Sequence, residues 1–416
     1  MQAPVRLWIL ICNPENRRHD YFADAVPIGE PLVVMSYIEL LTTPDLRALL
    51  HQRLLPFISP CDVRNAAQDG FNLRCRAEQC QIKPQQINPQ QIKQWQIKID
   101  SAGENFDVEK ALLCRSASQY HNLSEDRGHF YGLDHWFAGF RDFLGELDSA
   151  LQSLAKAQQA TVNYLNTPEA IIAMTDKWHC QQALAQQGIA VPALYPQSLT
   201  AADRFETLRR WMLSEKRYQV FIKPRFGSSA SGVVALRLHP DGERMIARTS
   251  LEIDAGGKFY NSLKIRAYQA RAQIESLFDA IVAQQGYVET WLPKPTLNGF
   301  SFDLRMVVIK GVAAHYVTRC SRSPMTNLHL GNQRGDILAH PKGEIWLAQA
   351  RAIAERAAKA IDGAGCVGAD ILVGPAGCYV LELNAFGDLL PRIEHQGQTS
   401  YQRQVTAMMR SSSNDT

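Results

Sequence analysis

The chain has 416 residues, 46% apolar and 20% charged, a globular composition on a length that calls for more than one ordinary core. Its 44 basic and 41 acidic residues give a net charge of +3, with no basic tail or dense Lys/Arg stripe, so composition does not point to nucleic acid. Nine scattered cysteines without a C-x-x-C pair argue against a zinc site or a disulfide framework. No apolar run approaches the roughly 20 residues of a membrane span, and no secretory signal is visible, so a cytoplasmic protein is expected.

In chain order, Val5 to Cys12 reads as a buried strand and Pro31 to Met35 as a second short apolar run. Between Gln81 and Asp100 the copies QIKPQ, QINPQ, QIKQW and QIKID repeat every five residues, a period that fits neither helix nor strand. An exposed insertion is expected there, with its last copies able to pair as a strand. Trp136, Phe137, Phe140, Phe143, Leu144 and Leu147 follow helical spacing and suit a packed core. A further helix is expected from about Ser149 to Gln159. Thr175 to Gln187 reads as the next helix, with Thr175 as N-cap and Gly188 as stop. Strands follow at Tyr218 to Pro224 and Val233 to Leu238, then a polar stretch, then a helix from about Ala267 to Gln285. Strands at Tyr287 to Leu292 and Phe302 to Lys310 precede a loop rich in Arg and Asn, and a helix spans about Ile345 to Ile361.

The most informative segment is Gly365 to Leu390, two apolar strands joined by Gly-Pro-Ala-Gly. Asp370 lies on the first strand, and Glu382 and Asn384 lie two apart on the second, so the latter two leave on one face. Two carboxylates and an amide oxygen form an all-oxygen donor set suited to Mg²⁺. The segment alone fits a solvent-facing edge hairpin equally well. A tight turn at Gly374 to Gly377 would pair Asp370 with Leu381 and turn Asp370 and Glu382 to opposite faces. A shared metal therefore requires a five-residue loop, Gly374 to Cys378, or a bulge that pairs Asp370 with Glu382.

Gly227 and Gly232 have the spacing of a P-loop, but Val233-Val234 stands where Lys-Ser/Thr is needed and a strand follows instead of a helix. The small residues Gly227, Ser228, Ser229 and Gly232 can still bring backbone N–H groups close to phosphates, or form an ordinary hairpin tip. Lys223, at the end of the strand entering this loop, adds a cation, and Lys177 is a second candidate.

Five segments in order resemble the ATP-grasp superfamily, most closely the RimK-type carboxylate–amine ligases. They are Thr175-Asp176-Lys177, FIKPRFGSSASGV, YVETWLP, FDLRMVVIKG followed by SRSPMTNLHLGN, and GADILV with YVLELNAFGDL. The resemblance runs from about Asn166 to Pro391. It implies an α+β ATP-grasp fold, two lobes closing on ATP, over 166–410, preceded by an α/β pre-ATP-grasp domain over 1–165 and followed by a disordered tail at 411–416.

The resemblance also implies roles. Lys177 and Lys223 resemble the lysines that hold nucleotide phosphates. Glu289 with Thr290, Trp291 and Leu292 resembles the hinge that reads adenine, and Asp303 the acid that binds ribose. Arg305, Arg319 and Asn327 take the positions that face the transferred phosphoryl group and the acceptor. Asp370, Glu382 and Asn384 take those of the ligands for Mg²⁺ or Mn²⁺. Two departures concern the acceptor: Leu330-Gly331-Asn332 replaces the usual Arg-Gly-Gly, and the segment Asp241 to Ala267 is unusually long. The implied activity is an ADP-forming ligase joining small-molecule or peptide carboxylates to amines or thiols through an acyl phosphate. A phosphotransferase on the same fold, or an inactive nucleotide-binding partner protein, are the alternatives.

Overall fold

Every residue from Arg6 to Cys12 is buried, as in a strand covered on both faces, and this segment lies inside a four-stranded sheet. The computed structural model describes residues 6–58, 92–228, 230–375, 377–386 and 390–411. Residues 81–91 of the repeat, Ser229 and residues 412–416 of the expected tail lie outside them.

The first sheet is parallel, in the order β2-β1-β3-β4: β1 (Arg6–Cys12), β2 (Leu32–Ser36), β3 (Gln94–Ile99) and β4 (Thr161–Tyr164). Helices α1 (Arg17–Ala23), α2 (Tyr37–Thr42), α3 (Leu46–Ile58), α4 (Phe106–Ser116) and α5 (Leu133–Ala157) accompany it. The last copies of the repeat form a strand, as the sequence reading allowed. Gln94–Ile99 pairs with β1 on one side and β4 on the other, with Trp95, Ile97 and Ile99 in the main core. Two expected helices are one: α5 runs 25 residues, and Phe140, Phe143, Leu144 and Leu147 form its buried stripe.

Two short helices follow, α6 (Pro168–Thr175) and α7 (Lys177–Gln186). Thr175 closes α6 instead of capping the next helix. The cap of α7 is Asp176, whose carboxylate accepts from His179 N at 3.2 Å. The second sheet is antiparallel, in the order β8-β7-β6-β5-β9: β5 (Gln219–Pro224), β6 (Val234–Leu238), β7 (Met245–Ile253), β8 (Phe259–Tyr268) and β9 (Gly286–Thr290). It packs with α8 (Phe205–Ser214) and α9 (Arg271–Val282) around its own core. The long polar stretch is therefore the β7–β8 hairpin. Its polarity reflects the outer strand β8, half-exposed or exposed throughout.

The third sheet is antiparallel, in the order β13-β12-β11-β14-β15, with β10 on β11. Its strands are β10 (Thr296–Leu297), β11 (Phe300–Ile309), β12 (Val312–Ser321), β13 (Gln333–Gly335), β14 (Cys366–Gly374) and β15 (Gly377–Asn384). Helix α10 (Gly343–Lys359) covers one face with Trp346, Ala350, Ile353, Ala354 and Ala357. On the other face Val307, Ile309 and Val317 join Trp8 and Leu10 of the first sheet and Tyr401 and Met408 of α11 (Ser400–Ser411). Farther along that same face the alternation places Asp303, Arg305, Arg319, Asp370, Glu382 and Asn384. A small hairpin, β16 (Glu394–His395) and β17 (Gln398–Thr399), precedes α11.

Asn166 ties the first sheet to the third. Its amide nitrogen donates to Cys366 O at 2.8 Å and Ala385 O at 3.3 Å, and its oxygen accepts from Gly365 N and Cys366 N at 2.9 and 2.8 Å. The residue is 4% exposed, so losing it strands buried backbone groups. Asn166→Ala is expected to lower stability by about 3 kcal/mol, measured by urea denaturation.

Candidate active site

The β14–β15 hairpin has the tight turn, not the five-residue loop: Gly374 pairs with Gly377 and Val373 with Cys378. A bulge restores the register. Ile371 faces Val380, but Asp370 faces Glu382, so Leu381 is the extra residue. The carbonyl of Leu381 accepts from Gln181 Nε2 of α7 at 2.5 Å, and the same helix carries Lys177, whose ammonium pairs with Glu382 Oε1. Directly opposed residues share a face, so Asp370, Glu382 and Asn384 project together.

Beside them lies a buried charge network. Arg305 is paired in register with Asp370 and binds its carboxylate through two nitrogens. Arg319 contacts Asp370 at 3.1 Å and Asp303 at 2.8 Å. Asp303 also receives Lys294 Nζ at 2.9 Å and the Thr326 hydroxyl. Burial alone pushes both acids up, yet the adjacent cations outweigh it and hold Asp303 and Asp370 below the usual carboxylate range. Burial likewise pushes the Lys294 ammonium down. Asp303 is 1% exposed, with its oxygens engaged by Lys294, Arg319 and Thr326.

Across the cleft, Lys223 of β5 pairs with Glu289 of β9 at 2.5 Å. Burial pushes the Glu289 carboxyl up against the opposing pull of Lys223, and Glu289 Oε2 is buried without a partner among the described residues. The expected hinge backbone is engaged: Thr290 N donates to Ala193 O at 2.8 Å and Trp291 N to Gln219 O at 3.1 Å. Among these side chains are five cations, Lys177, Lys223, Lys294, Arg305 and Arg319, against four carboxylates, Glu289, Asp303, Asp370 and Glu382. The excess of positive charge suits an anionic ligand.

Residues outside the recognised segments shape the glycine-rich loop. Asn261 of β8 accepts from Gly232 N at 3.1 Å and donates to the Ser231 hydroxyl. Gly232 has φ +71°, and a Cβ there would lie 2.5 Å from the Phe130 ring, so glycine is required twice over. Phe137 of α5 stacks on Phe226 of the loop at 4.1 Å. Arg225 grips Asp176 through two 2.7 Å contacts, and its carbonyl accepts from Lys177 N at 3.1 Å, linking the start of α7 to the loop. On the other lobe Asn332 donates to Met325 O and Asn327 O, both at 2.8 Å, and so clamps the Asn327 loop where the motif departs from Arg-Gly-Gly. No local pattern singles out Asn261 or Lys294, because their partners lie in other elements.

Asp370, Glu382 and Asn384 fit a hard divalent cation. All three offer oxygen donors on one face, and Asn384 turns its amide nitrogen to Gly368 O at 3.3 Å, keeping its oxygen as an acceptor. Among the described residues no helix is long and apolar enough to cross a membrane.

The chain is similar in structure to D-cycloserine synthetase DcsG, with 12% identity and a TM-score of 0.51 over 97% of this chain and 99% of that one. It is similar to D-alanine–D-alanine ligase from Bacillus anthracis, with 10% identity and a TM-score of 0.50 over 99% and 100%. The ATP-grasp ligase PsnB, complexed with a precursor variant, Mg and ADP, aligns at 14% identity and a TM-score of 0.46 over 99% of each chain. No protein-family model and no curated protein matches the chain. The chain has the ATP-grasp fold.

Asp303→Asn should destabilise the protein by about 3 to 5 kcal/mol at pH 7, because Lys294 and Arg319 lose a buried partner. A carboxyl depressed on folding stabilises above its ordinary value, 3.8 here, and loses that contribution as pH falls through its folded value. Melting curves from pH 7 to pH 2 should therefore show a constant gap between wild type and variant down to about pH 4 and a narrowing gap below it.

Proposed function

We propose that the chain is an ATP- and Mg²⁺-dependent carboxylate–amine (or thiol) ligase, close to the RimK type, that forms an acyl phosphate and releases ADP and phosphate. The observation that carries this reading is the convergence of Lys177, Lys223 and the glycine-rich loop with Arg305, Arg319 and the Asp370-Glu382-Asn384 face. The ligase named among the structural neighbours supports it at the level of fold.

Phosphoryl transfer needs charge neutralisation and alignment more than covalent help from protein. Lys177, Lys223 and the backbone of Gly227, Ser228 and Gly232 hold the ATP phosphates, with Ser229 completing the loop. Asp370, Glu382 and Asn384 would hold Mg²⁺ or Mn²⁺, which supplies Lewis-acid neutralisation of phosphate oxygens. Arg305 and Arg319 exchange part of their hold on Asp370 for the transferred phosphoryl group and the acceptor carboxylate, whose planar oxygens a guanidinium grips in two places. A carboxylate oxygen attacks the γ-phosphorus and ADP leaves. The amine or thiol then attacks the acyl carbon, losing its proton to solvent, and phosphate departs.

ADP release should depend on Mg²⁺ and a carboxylic acid, and hydroxylamine should trap a hydroxamate. ADP formation with no hydroxamate from any acid would favour a phosphotransferase instead. Glu382→Ala should reduce ADP release by about a hundredfold or more, and unchanged turnover would remove Glu382 from the metal site.

A further inference from the structure

The outer edge of the third sheet is covered along only part of its length. Strand β13 pairs with β12 at Thr318, Arg319 and Cys320, and among the described residues no strand pairs with Val312 to Val317 on that side. A cavity of about 380 Å³ lies against this bare stretch. Its walls are Tyr316 and Val317 of β12, Arg334 and Asp336 at the end of β13, and Glu394 and His395 of β16. The outer wall is fixed in place: His315 Nε2 bonds Gln398 O at 2.9 Å, and the His315 and His395 rings lie 6.0 Å apart.

Arg334 faces Arg319 across the β12–β13 ladder, on the face that carries Arg305 and Asp370. Arg319 is committed to Asp303 and Asp370, whereas Arg334 is exposed and has no ion-pair or hydrogen-bond partner among the described residues. From His315 to Arg319 the strand advances about 13 Å. A bare strand edge, a cavity along it and an unpaired guanidinium at the end nearest the charged site match the demands of one ligand shape. Main-chain pairing with such an edge supplies affinity, and a fixed charge sets direction.

We propose that this groove binds the acceptor as an extended peptide, which continues the line of β13 along β12 and presents a carboxylate at Arg334, next to Arg319. The inference rests on the ligase reading for what happens to that carboxylate, but the binding mode stands on the edge geometry. The volume exceeds what a single amino acid fills, and Asp336 and Glu394 disfavour a second carboxylate deeper in the groove.

The test uses the full chain and a fluorescein-labelled pool of random hexapeptides ending in glutamate, followed by anisotropy without nucleotide. Saturable binding is expected, weakened about tenfold or more by Arg334→Ala, with a melting curve to confirm the variant is folded. Alternate amides of a paired strand point at the edge. N-methylation of alternate amides should therefore weaken binding at least about tenfold in one phase and little in the other. No saturable binding, equal effects of the two phases, or displacement of the pool by an equal concentration of free glutamate would overturn the proposal. ADP release separates the two readings. Phase-dependent peptide binding with no ADP formed from any acid would sink the ligase and keep the groove. ADP release driven by free amino acids, without peptide binding, would do the reverse.

Discussion

The site depends on one extra residue in one strand. With a tight turn at Gly374 and Gly377, a regular ladder would set Asp370 against Leu381 and send Glu382 to the face packed on α10. The bulge at Leu381 shifts the register by one, and the carbonyl it displaces finds a donor in Gln181. Helix α7 is thereby seated against β15, which brings Lys177 to Glu382. A local irregularity in a sheet thus fixes the face shared by Asp370, Glu382 and Asn384 and the position of Lys177 together.

Around that face the protein balances buried charges instead of avoiding them. Isolated ions in a low-dielectric interior are costly, and pairing repays the cost only when geometry and additional hydrogen bonds are good. Asp303 meets that condition with Lys294, Arg319 and Thr326, and Asp370 meets it with Arg305 and Arg319. Asp303 and Asp370 are both buried, whereas Glu382, paired with Lys177, is more exposed. In the proposed reaction, phosphates and an acceptor carboxylate would compete for these cations, so ligand binding would trade one set of ion pairs for another.

The glycine-rich loop is built from three directions. Its own strands supply Lys223 and the small residues, the β7–β8 hairpin supplies Asn261, and the first part of the chain supplies Phe130 and Phe137. Arg225 and Asp176 then bind the loop to α7. The hairpin that departs from the recognised pattern is therefore part of the loop's support.

The sequence by itself determined the recognised segments from Asn166 onward, the candidate phosphate lysines and, on the condition of a shared metal, the pairing of Asp370 with Glu382, because small-residue loops and i, i+2 spacing are local. It also required that a loop or a bulge reconcile that pairing with the turn. Choosing the bulge took α7, since only a helix 200 residues away supplies the donor for the Leu381 carbonyl. The same holds for Gln94–Ile99: the repeat allowed a strand there, but its burial between β1 and β4 is decided by packing. It holds for β8, whose polar sequence conceals an outer strand, and for Lys294 and Asn261, whose partners meet only in three dimensions. Spacing along a chain reveals which side chains share a face; which face is buried, and against what charge, is decided by long-range packing.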